Sequence, residues 1–247
     1  MKDKAHLIMP MGGSGSRFSS LGFDVPKPLI ELQGRPFFYW AIRSIEKFAP
    51  LKSLTFVVLR EHIERHGIDK KIREYFPGAR IVTLERVLNG AVLTCLAGVR
   101  DIADESPVFF NDCDHIFSCP EFERFLQAGD FSAPDGALLT FTSREPLYSY
   151  LVLDQAGRIS GTVEKVAASD RAICGVYYFK NKALFERYSE RYLYECSYKE
   201  FFVSGVYNGM AADGLDIRSF PTQMHIPFGV PQEYLAAKDN EAFKELL

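Results

Sequence analysis

Three groups of residues have the type and spacing for phosphate chemistry. The first is the run Met11, Gly12, Gly13, Ser14, Gly15 and Ser16, closed by Arg17. Glycines accept positive φ and let backbone amides approach a phosphate closely. Directly after an apolar strand, such a loop is a natural anion cradle. It also fits a plain glycine-rich connection. No Gly-Lys-Ser/Thr follows it, and Phe18 stands where the third glycine of a dinucleotide fingerprint belongs, so two common phosphate motifs are excluded. The second group is Lys27, flanked by Pro26 and Pro28. Pro28 pushes Lys27 out of the α region and Pro26 fixes the chain before it. The pattern predicts a stiff, extended segment that presents one ammonium to a polyphosphate, while Arg17 offers a bidentate fork. The third group is Asp112 and Asp114, which end an apolar strand. In an extended chain both point the same way. Two such carboxylates suit Mg²⁺, which completes its shell with phosphates and water. An acidic turn capping a helix over 118–126 is the other reading.

These residues need a scaffold at the carboxyl ends of strands. Strands are predicted at Ala5–Met11, Leu54–Leu59, Ala79–Leu84 and Val108–Asn111. Helices are predicted at Pro36–Phe48, Glu61–Tyr75 and Ala91–Val99, with Pro36 at the first helical position. This alternation argues for an α/β chain with a mostly parallel sheet covered on both faces. The second half is richer in strands: Leu138–Thr142, Tyr150–Leu153, Arg158–Glu164 and Ala172–Phe179, with a hairpin turn at 154–157. Helices are expected at Lys180–Arg191 and Pro231–Phe243. No linker divides the 247 residues. One domain is expected, with a first half over about 1–117 that binds one ligand and a second half over about 118–247 that closes over another.

Composition narrows the function classes. Lys and Arg total 29 against 32 Asp and Glu, a net charge of -3, so no basic surplus advertises nucleic acid or an anionic membrane. Five cysteines without CxxC spacing indicate neither a disulfide framework nor a zinc knuckle, and a reducing cytoplasm is the expected home. Neither a signal peptide nor a membrane-inserted helix is expected. His62 and His66, four apart on a helix, are metal-compatible but too few for a site. Tyr148 and Tyr150 fit either core or the wall of a pocket.

The combination of Gly-Gly-Ser-Gly-Ser-Arg-Phe, Pro26-Lys27-Pro28-Leu29 and Gly34-Arg35-Pro36 resembles the signature of the nucleoside triphosphate transferases, especially the sugar-phosphate nucleotidyltransferases. The resemblance is strongest over residues 5–48 and continues as short motifs to about residue 235. It implies a Rossmann-like three-layer α/β/α fold with a mixed, mostly parallel central sheet, related to the GT-A glycosyltransferases. It implies a Mg²⁺-dependent enzyme that joins an NTP to a sugar 1-phosphate or similar phosphorylated small molecule and releases pyrophosphate. The product would be an activated precursor for bacterial surface glycan. By the same resemblance, Gly90 and Ala91 contact the nucleotide, and a metal-binding aspartate follows the 108–111 strand, where Asp114 matches slightly better than Asp112. Glu164 and Lys165 would meet the acceptor's hydroxyls and phosphate, and Gly175 would lie against the acceptor.

Two departures stand out. No glutamine follows Gly90 to read a base, and the stretch 225–231 lacks the second metal-binding carboxylate of the family. A GT-A glycosyltransferase using a nucleotide-sugar donor, or a non-catalytic nucleotide-sugar-binding paralogue, are the alternatives.

Overall fold

In a computed structural model of the chain, residues 4–19, 22–46 and 51–246 are described. The first half runs β1 (Ala5–Met11), the single turn α1 (Ser16–Ser19), a small hairpin of β2 (Glu31–Leu32) and β3 (Arg35–Pro36), α2 (Phe37–Glu46), β4 (Leu51–Leu59), α3 (Arg60–His66), α4 (Ile68–Tyr75), β5 (Arg80–Leu84), α5 (Ala91–Val99) and β6 (Val108–Asn111). The second half runs β7 (His115–Ser118), α6 (Pro120–Ala128), β8 (Gly136–Thr142), β9 (Ser149–Leu153), β10 (Ile159–Glu164), β11 (Arg171–Phe179), α7 (Lys182–Glu195), α8 (Val203–Ala212), β12 (Ile217–Pro221), β13 (Met224–Pro227) and α9 (Pro231–Ala237).

β1 is apolar except for His6 and nearly all buried, as a central strand covered on both faces must be. It pairs in parallel with β4 and β6, and β4 pairs in parallel with β5. The nine-stranded sheet runs β10-β9-β11-β6-β1-β4-β5, with β8 on β11 and β12 on β8. Seven of the nine strands share one direction; β10 and β11 oppose it. One sheet thus passes through both halves, joined where β11 lies antiparallel to β6.

Alternation along the strands builds the layers. Leu7, Met9, Phe56 and Val58 face α2, α4 and α6 through Phe38, Ile42, Ile72 and Phe122. Ile8, Val57 and Phe110 face α5, α7 and α8 through Val92, Phe185, Val206 and Met210. The α/β/α sandwich with a mixed, mostly parallel sheet is therefore as the sequence implied. A third cluster of Phe18, Ile30, Phe37, Trp40, Phe228 and Phe243 sits beneath the glycine loop and ties it to the C-terminal segment.

Several local expectations need correction. The helix expected over 61–75 is two helices, because Gly67 adopts a left-handed conformation at φ 60° between them. Pro36 belongs to β3, and α2 starts at Phe37; its expected end at Phe48 lies outside the described residues. Asn181 caps α7 by accepting from the Leu184 N–H at 2.8 Å, which moves the helix start from 180 to 182. The helix expected over 231–243 is α9 followed by a separate 3₁₀ segment at Glu241–Leu246. β7, α8, β12 and β13 were not expected from the sequence at all. Lys27 is not in an extended segment: it opens a 3₁₀ turn, Lys27–Leu29, held by the Leu29 N–H donating to Pro26 O at 2.8 Å.

Candidate active site

The glycine loop leaves β1 at buried Met11 and ends on buried Phe18, so both ends are anchored in core. Between them Gly13, Ser14, Ser16 and Arg17 are exposed. The loop forms one wall of a cleft of about 520 Å³, whose other walls include Lys27, Val87–Ala91, Thr94, Asp112, Glu200 and Gly229. All the residues expected at the nucleotide, from Met11 to Arg17 with Gly90 and Ala91, line it together. A Cβ at Gly15 would stand 3.2 Å from the Lys27 Cβ, so the loop closes directly over the lysine. Gly90 opens α5 at φ +101°, and a Cβ there would lie 2.3 Å from Phe201 N. No other residue satisfies both constraints. The Val92 N–H donates to Phe201 O at 3.1 Å, which fastens this wall to the α7–α8 connection.

Asp112 and Asp114 occupy a bend between β6 and β7 rather than a continuous strand. They nevertheless converge. The Asp112 N–H donates to Gly175 O at 2.9 Å, and a Cβ on Gly175 would come within 2.6 Å of Asp112 Oδ2. Gly229 makes the same room for Asp114, whose Oδ2 would stand 2.2 Å from a Cβ there. Lys27 Nζ donates to Asp114 Oδ2 at 2.5 Å, with the two side chains 26% and 21% exposed. Burial pushes the Lys27 ammonium down, but Asp114, Cys113 and Asp112 together outweigh it and hold its pKa above the usual lysine range. Burial raises Asp112, and the neighbouring Asp114 charge raises it further, against the pull of Lys27. Burial also opposes ionisation of Asp114, yet Lys27 wins and holds it below the usual carboxylate range. The result is one lysine–aspartate ion pair beside a second carboxylate that forms no ion pair among the described residues.

A smaller pocket of about 170 Å³ adjoins the cleft, lined by Asp112, Asp114, His115, Tyr148, Ser149, Cys174, Gly175, Tyr177, His225, Gly229 and Glu233 among others. Asp112 and Gly229 line both cavities. Gly175 lines this smaller pocket. Glu164 and Lys165 are not on this wall. Glu164 is 7% exposed, accepts from the Ser204 hydroxyl and is raised in pKa by burial, against hydrogen bonds from Ser149 and Ser204. Lys165 is exposed, with its ammonium 5.4 Å from the Phe202 ring centre. Tyr148 lines the pocket; Tyr150 is buried, its hydroxyl donating to Glu145 O at 2.6 Å.

Sequence reasoning missed Glu233, Gly229, Glu200, His115 and His225. The segment 225–231 indeed lacks a carboxylate, but Glu233, two residues later, supplies one to the pocket. Its Oε2 accepts from the N–H groups of Gly229 and Val230 at 2.9 and 3.1 Å, and its Oε1 accepts from the Tyr148 hydroxyl at 2.6 Å. Pro231 at the first helical position with Glu233 two residues on is a readable helix-start pattern. It gave no hint that the same carboxylate faces a pocket. His115 and His225 are held neutral by burial, at about 4 and about 3 respectively. All five cysteines are free thiols, four of them buried. No helix of the described residues is long and apolar enough to cross a membrane.

Comparison with known proteins places this geometry. The chain is 25% identical over 236 residues, 94% of its length and 96% of the relative's, to the D-glycero-alpha-D-manno-heptose 1-phosphate guanylyltransferase of Aneurinibacillus thermoaerophilus. It is 25% identical over 108 residues, 42% of its length, to the 2-C-methyl-D-erythritol 4-phosphate cytidylyltransferase of Lachnospira eligens. Against that protein and three other curated relatives, the chain spans about half of the relative's length, 44 to 50%. A solved nucleoside-diphosphate-sugar pyrophosphorylase from Vibrio cholerae RC9 superposes with a TM-score of 0.79 at 22% identity, covering 95% of this chain and 100% of the other, and so shares the fold. The model of the MobA-like NTP transferase domain matches residues 8–173, two thirds of the chain and all of its glycine loop, lysine and acidic bend. The chain belongs to the MobA-like NTP transferase domain family.

Proposed function

We propose that this chain transfers a nucleotidyl group from an NTP to a phosphorylated small molecule, a sugar 1-phosphate or a close analogue, and releases pyrophosphate. The observation that carries this reading is the meeting of two cavities at Asp112 and Gly229. The larger has a glycine-rich loop, Arg17 and Lys27 for a triphosphate. The smaller has room for a compact phosphorylated acceptor. An acceptor phosphate oxygen attacks the α-phosphorus, and the bond to pyrophosphate breaks in line. No covalent intermediate on the protein is needed. The loop amides and Arg17 orient the β- and γ-phosphates. Lys27, already fixed against Asp114, meets the charge that grows on the α-phosphate and the leaving group. The names of the relatives, with their phosphorylated acceptors, support the acceptor class. The role in surface glycan rests on the sequence resemblance alone.

Mg²⁺ is part of the proposal. Asp112 and Asp114 fit it: both are hard oxygen donors, each fills the space a glycine leaves, and their mutual repulsion asks for a cation. These two carboxylates would hold the ion, with Lys27 sharing Asp114. Bound there, the ion supplies charge neutralisation for the phosphates.

The test is pyrophosphate release across the four NTPs, each with a panel of sugar 1-phosphates and other phosphorylated acceptors, with and without Mg²⁺. One NTP–acceptor pair giving Mg²⁺-dependent pyrophosphate is the expected result. Release of nucleoside diphosphate from a nucleotide-sugar would establish the glycosyltransferase reading instead. Tight binding without turnover would establish the non-catalytic one.

A further inference from the structure

The wall of the smaller pocket contains a donor set that phosphate chemistry does not use. His115 on β7, Cys174 on β11 and His225 on β13 each offer one ligand atom, and these atoms lie within 4.8 Å of one another. β7 and β13 are antiparallel neighbours in which His115 opposes Pro227 and Phe117 opposes His225. The two histidines are thus diagonal residues on one face of a ribbon. Their ring centres stand 5.4 Å apart at 66°. Two imidazoles on one tetrahedral ion, with metal–nitrogen bonds of about 2.0–2.1 Å, place their ring centres roughly 5 Å apart.

The hydrogen bonds set the protons. Asn111 Nδ2 donates to Ala41 O at 3.0 Å, which turns Asn111 Oδ1 toward His115 Nε2 at 2.8 Å. An amide oxygen only accepts, so Nε2 carries the hydrogen and Nδ1 keeps its lone pair. That Nδ1 is buried and has no partner, and both ring nitrogens of His225 are likewise buried without partners. His115 and Cys174 are 2% and 6% exposed. Buried polar atoms are nearly always paired, and three unpaired imidazole nitrogens in one place ask for a cause, of which a bound ion is one. A histidine whose second nitrogen donates to a fixed oxygen is the usual arrangement of a metal ligand. All three residues line the pocket, so a fourth position opens into it.

We propose that His115, Cys174 and His225 bind a borderline transition-metal ion of the Zn²⁺ type, with its open position toward the smaller pocket. Two imidazoles and a thiolate are a donor set that Mg²⁺ refuses and Zn²⁺ or Co²⁺ accepts. The ion is separate from the Mg²⁺ assigned to Asp112 and Asp114. Three protein ligands and one vacant position are the pattern of a site that takes a substrate oxygen. That the oxygen belongs to the acceptor's phosphate rests on the nucleotidyl-transfer reading; the metal site itself does not.

The test is titration of the full, chelator-stripped chain with Co²⁺, read by absorption with no nucleotide present. One equivalent should produce a thiolate-to-cobalt charge-transfer band and the intense visible bands of four-coordinate Co²⁺. Zn²⁺ should bleach both, and millimolar Mg²⁺ should not. Cys174→Ser should remove the charge-transfer band from a protein that circular dichroism shows to be folded. Asn111→Ser, which frees the His115 ring, should weaken Co²⁺ about 10- to 100-fold. His66→Ala, at the other histidine pair, should change nothing. A folded wild-type protein without the charge-transfer band, a band that survives Cys174→Ser, or displacement by Mg²⁺ each overturns the site. Because the readout needs no turnover, a missing pyrophosphate reaction leaves it untouched.

Discussion

The two cavities that meet at Asp112 are built in opposite ways. The larger cleft is walled mainly by two contiguous stretches of chain: the 10–18 loop and the 87–91 segment supply most of its lining residues. The smaller pocket draws its lining from scattered places: the acidic bend and β7, the 147–149 segment, β11, β13, Gly229 and α9. Phosphates are alike in every nucleotide and are met by amides, which a short glycine run can aim. An acceptor differs from one enzyme to the next and must be met by side chains that only tertiary structure assembles. Substitutions in the cleft should therefore disturb any substrate pair alike, while those in the pocket should discriminate among acceptors.

The largest effect is expected where the two cavities touch. Lys27→Ala removes the cation that both the cleft and Asp114 rely on. A preorganised contact of this kind is worth on the order of 10²–10³ in rate, so kcat should fall by that much while the NTP KM moves far less. Lys27→Arg should rescue partly, because a planar fork replaces a compact ammonium. Steady-state kinetics on the pair found by the pyrophosphate screen decides it. A change in KM alone would make Lys27 a ground-state contact and remove it from the transition state.

Next comes Gly13→Val, which probes the cleft alone. Among the described residues, none but its chain neighbours lies within 4 Å of the position a Cβ would take at Gly13, so the fold should accept the side chain. Its methyl groups would instead stand where a phosphate approaches. Losing one amide bond to a charged oxygen costs about 1.5–3 kcal/mol, or roughly 10- to 150-fold in NTP KM. Thermal denaturation should be almost unchanged, within about 0.5 kcal/mol. An unchanged NTP KM in this variant would sink the cradle.

Glu233→Gln probes the pocket alone. The carboxylate accepts from two backbone N–H groups and from Tyr148 at once. A Gln amide has one oxygen, so its NH₂ must face one of these donors. The loss at a helix start is about 1 kcal/mol. Acceptor KM should rise a few-fold with NTP KM unchanged. The reverse pattern would place Glu233 in nucleotide binding and blur the division between the cavities.

The same division explains what the sequence disclosed. The glycine loop, Lys27 and the acidic pair are local motifs, and the loop and the acidic pair each lie at the end of a strand whose apolar run is plain. The parallel first half was legible for this reason, although the 3₁₀ turn at Lys27 was not, since proline pairs restrict φ without choosing between extended chain and turn. In the second half, β7 and β13 are four residues each and exist because they pair with one another across more than a hundred residues. Helix α8, with the sequence Val-Ser-Gly-Val-Tyr-Asn-Gly-Met-Ala-Ala, has two glycines and weak propensity; tertiary contact overrides it, for a Cβ at Gly205 would strike the Tyr192 ring. His225 reaches the pocket on β13 and Glu233 on the helix start that directly follows it, so no local pattern could announce that the two face one pocket.

The smallest effect, and the finest probe of the pocket's boundary, belongs to Glu164. The family resemblance makes its carboxylate an acceptor contact, whereas its position makes it a buried brace between β10 and α8 through Ser204. Glu164→Gln separates the two. A glutamine keeps an oxygen for the Ser204 hydroxyl and has no charge to desolvate. Burial raises the folded pKa of Glu164 above its unfolded value, so the unfolded chain gives up this proton at lower pH than the folded one. The native state is thus relatively disfavoured as pH rises through the carboxylate range, and wild type should be slightly less stable than the variant at pH 7. That difference should vanish at a pH low enough to protonate the carboxyl in both states. Melting temperatures of the two proteins across pH 4 to 7 measure it. If Glu164 is a brace, the stability gap follows this course and acceptor KM does not move. If it grips the acceptor, KM rises in the variant, and the wall of the smaller pocket must extend past Ser149 to include it.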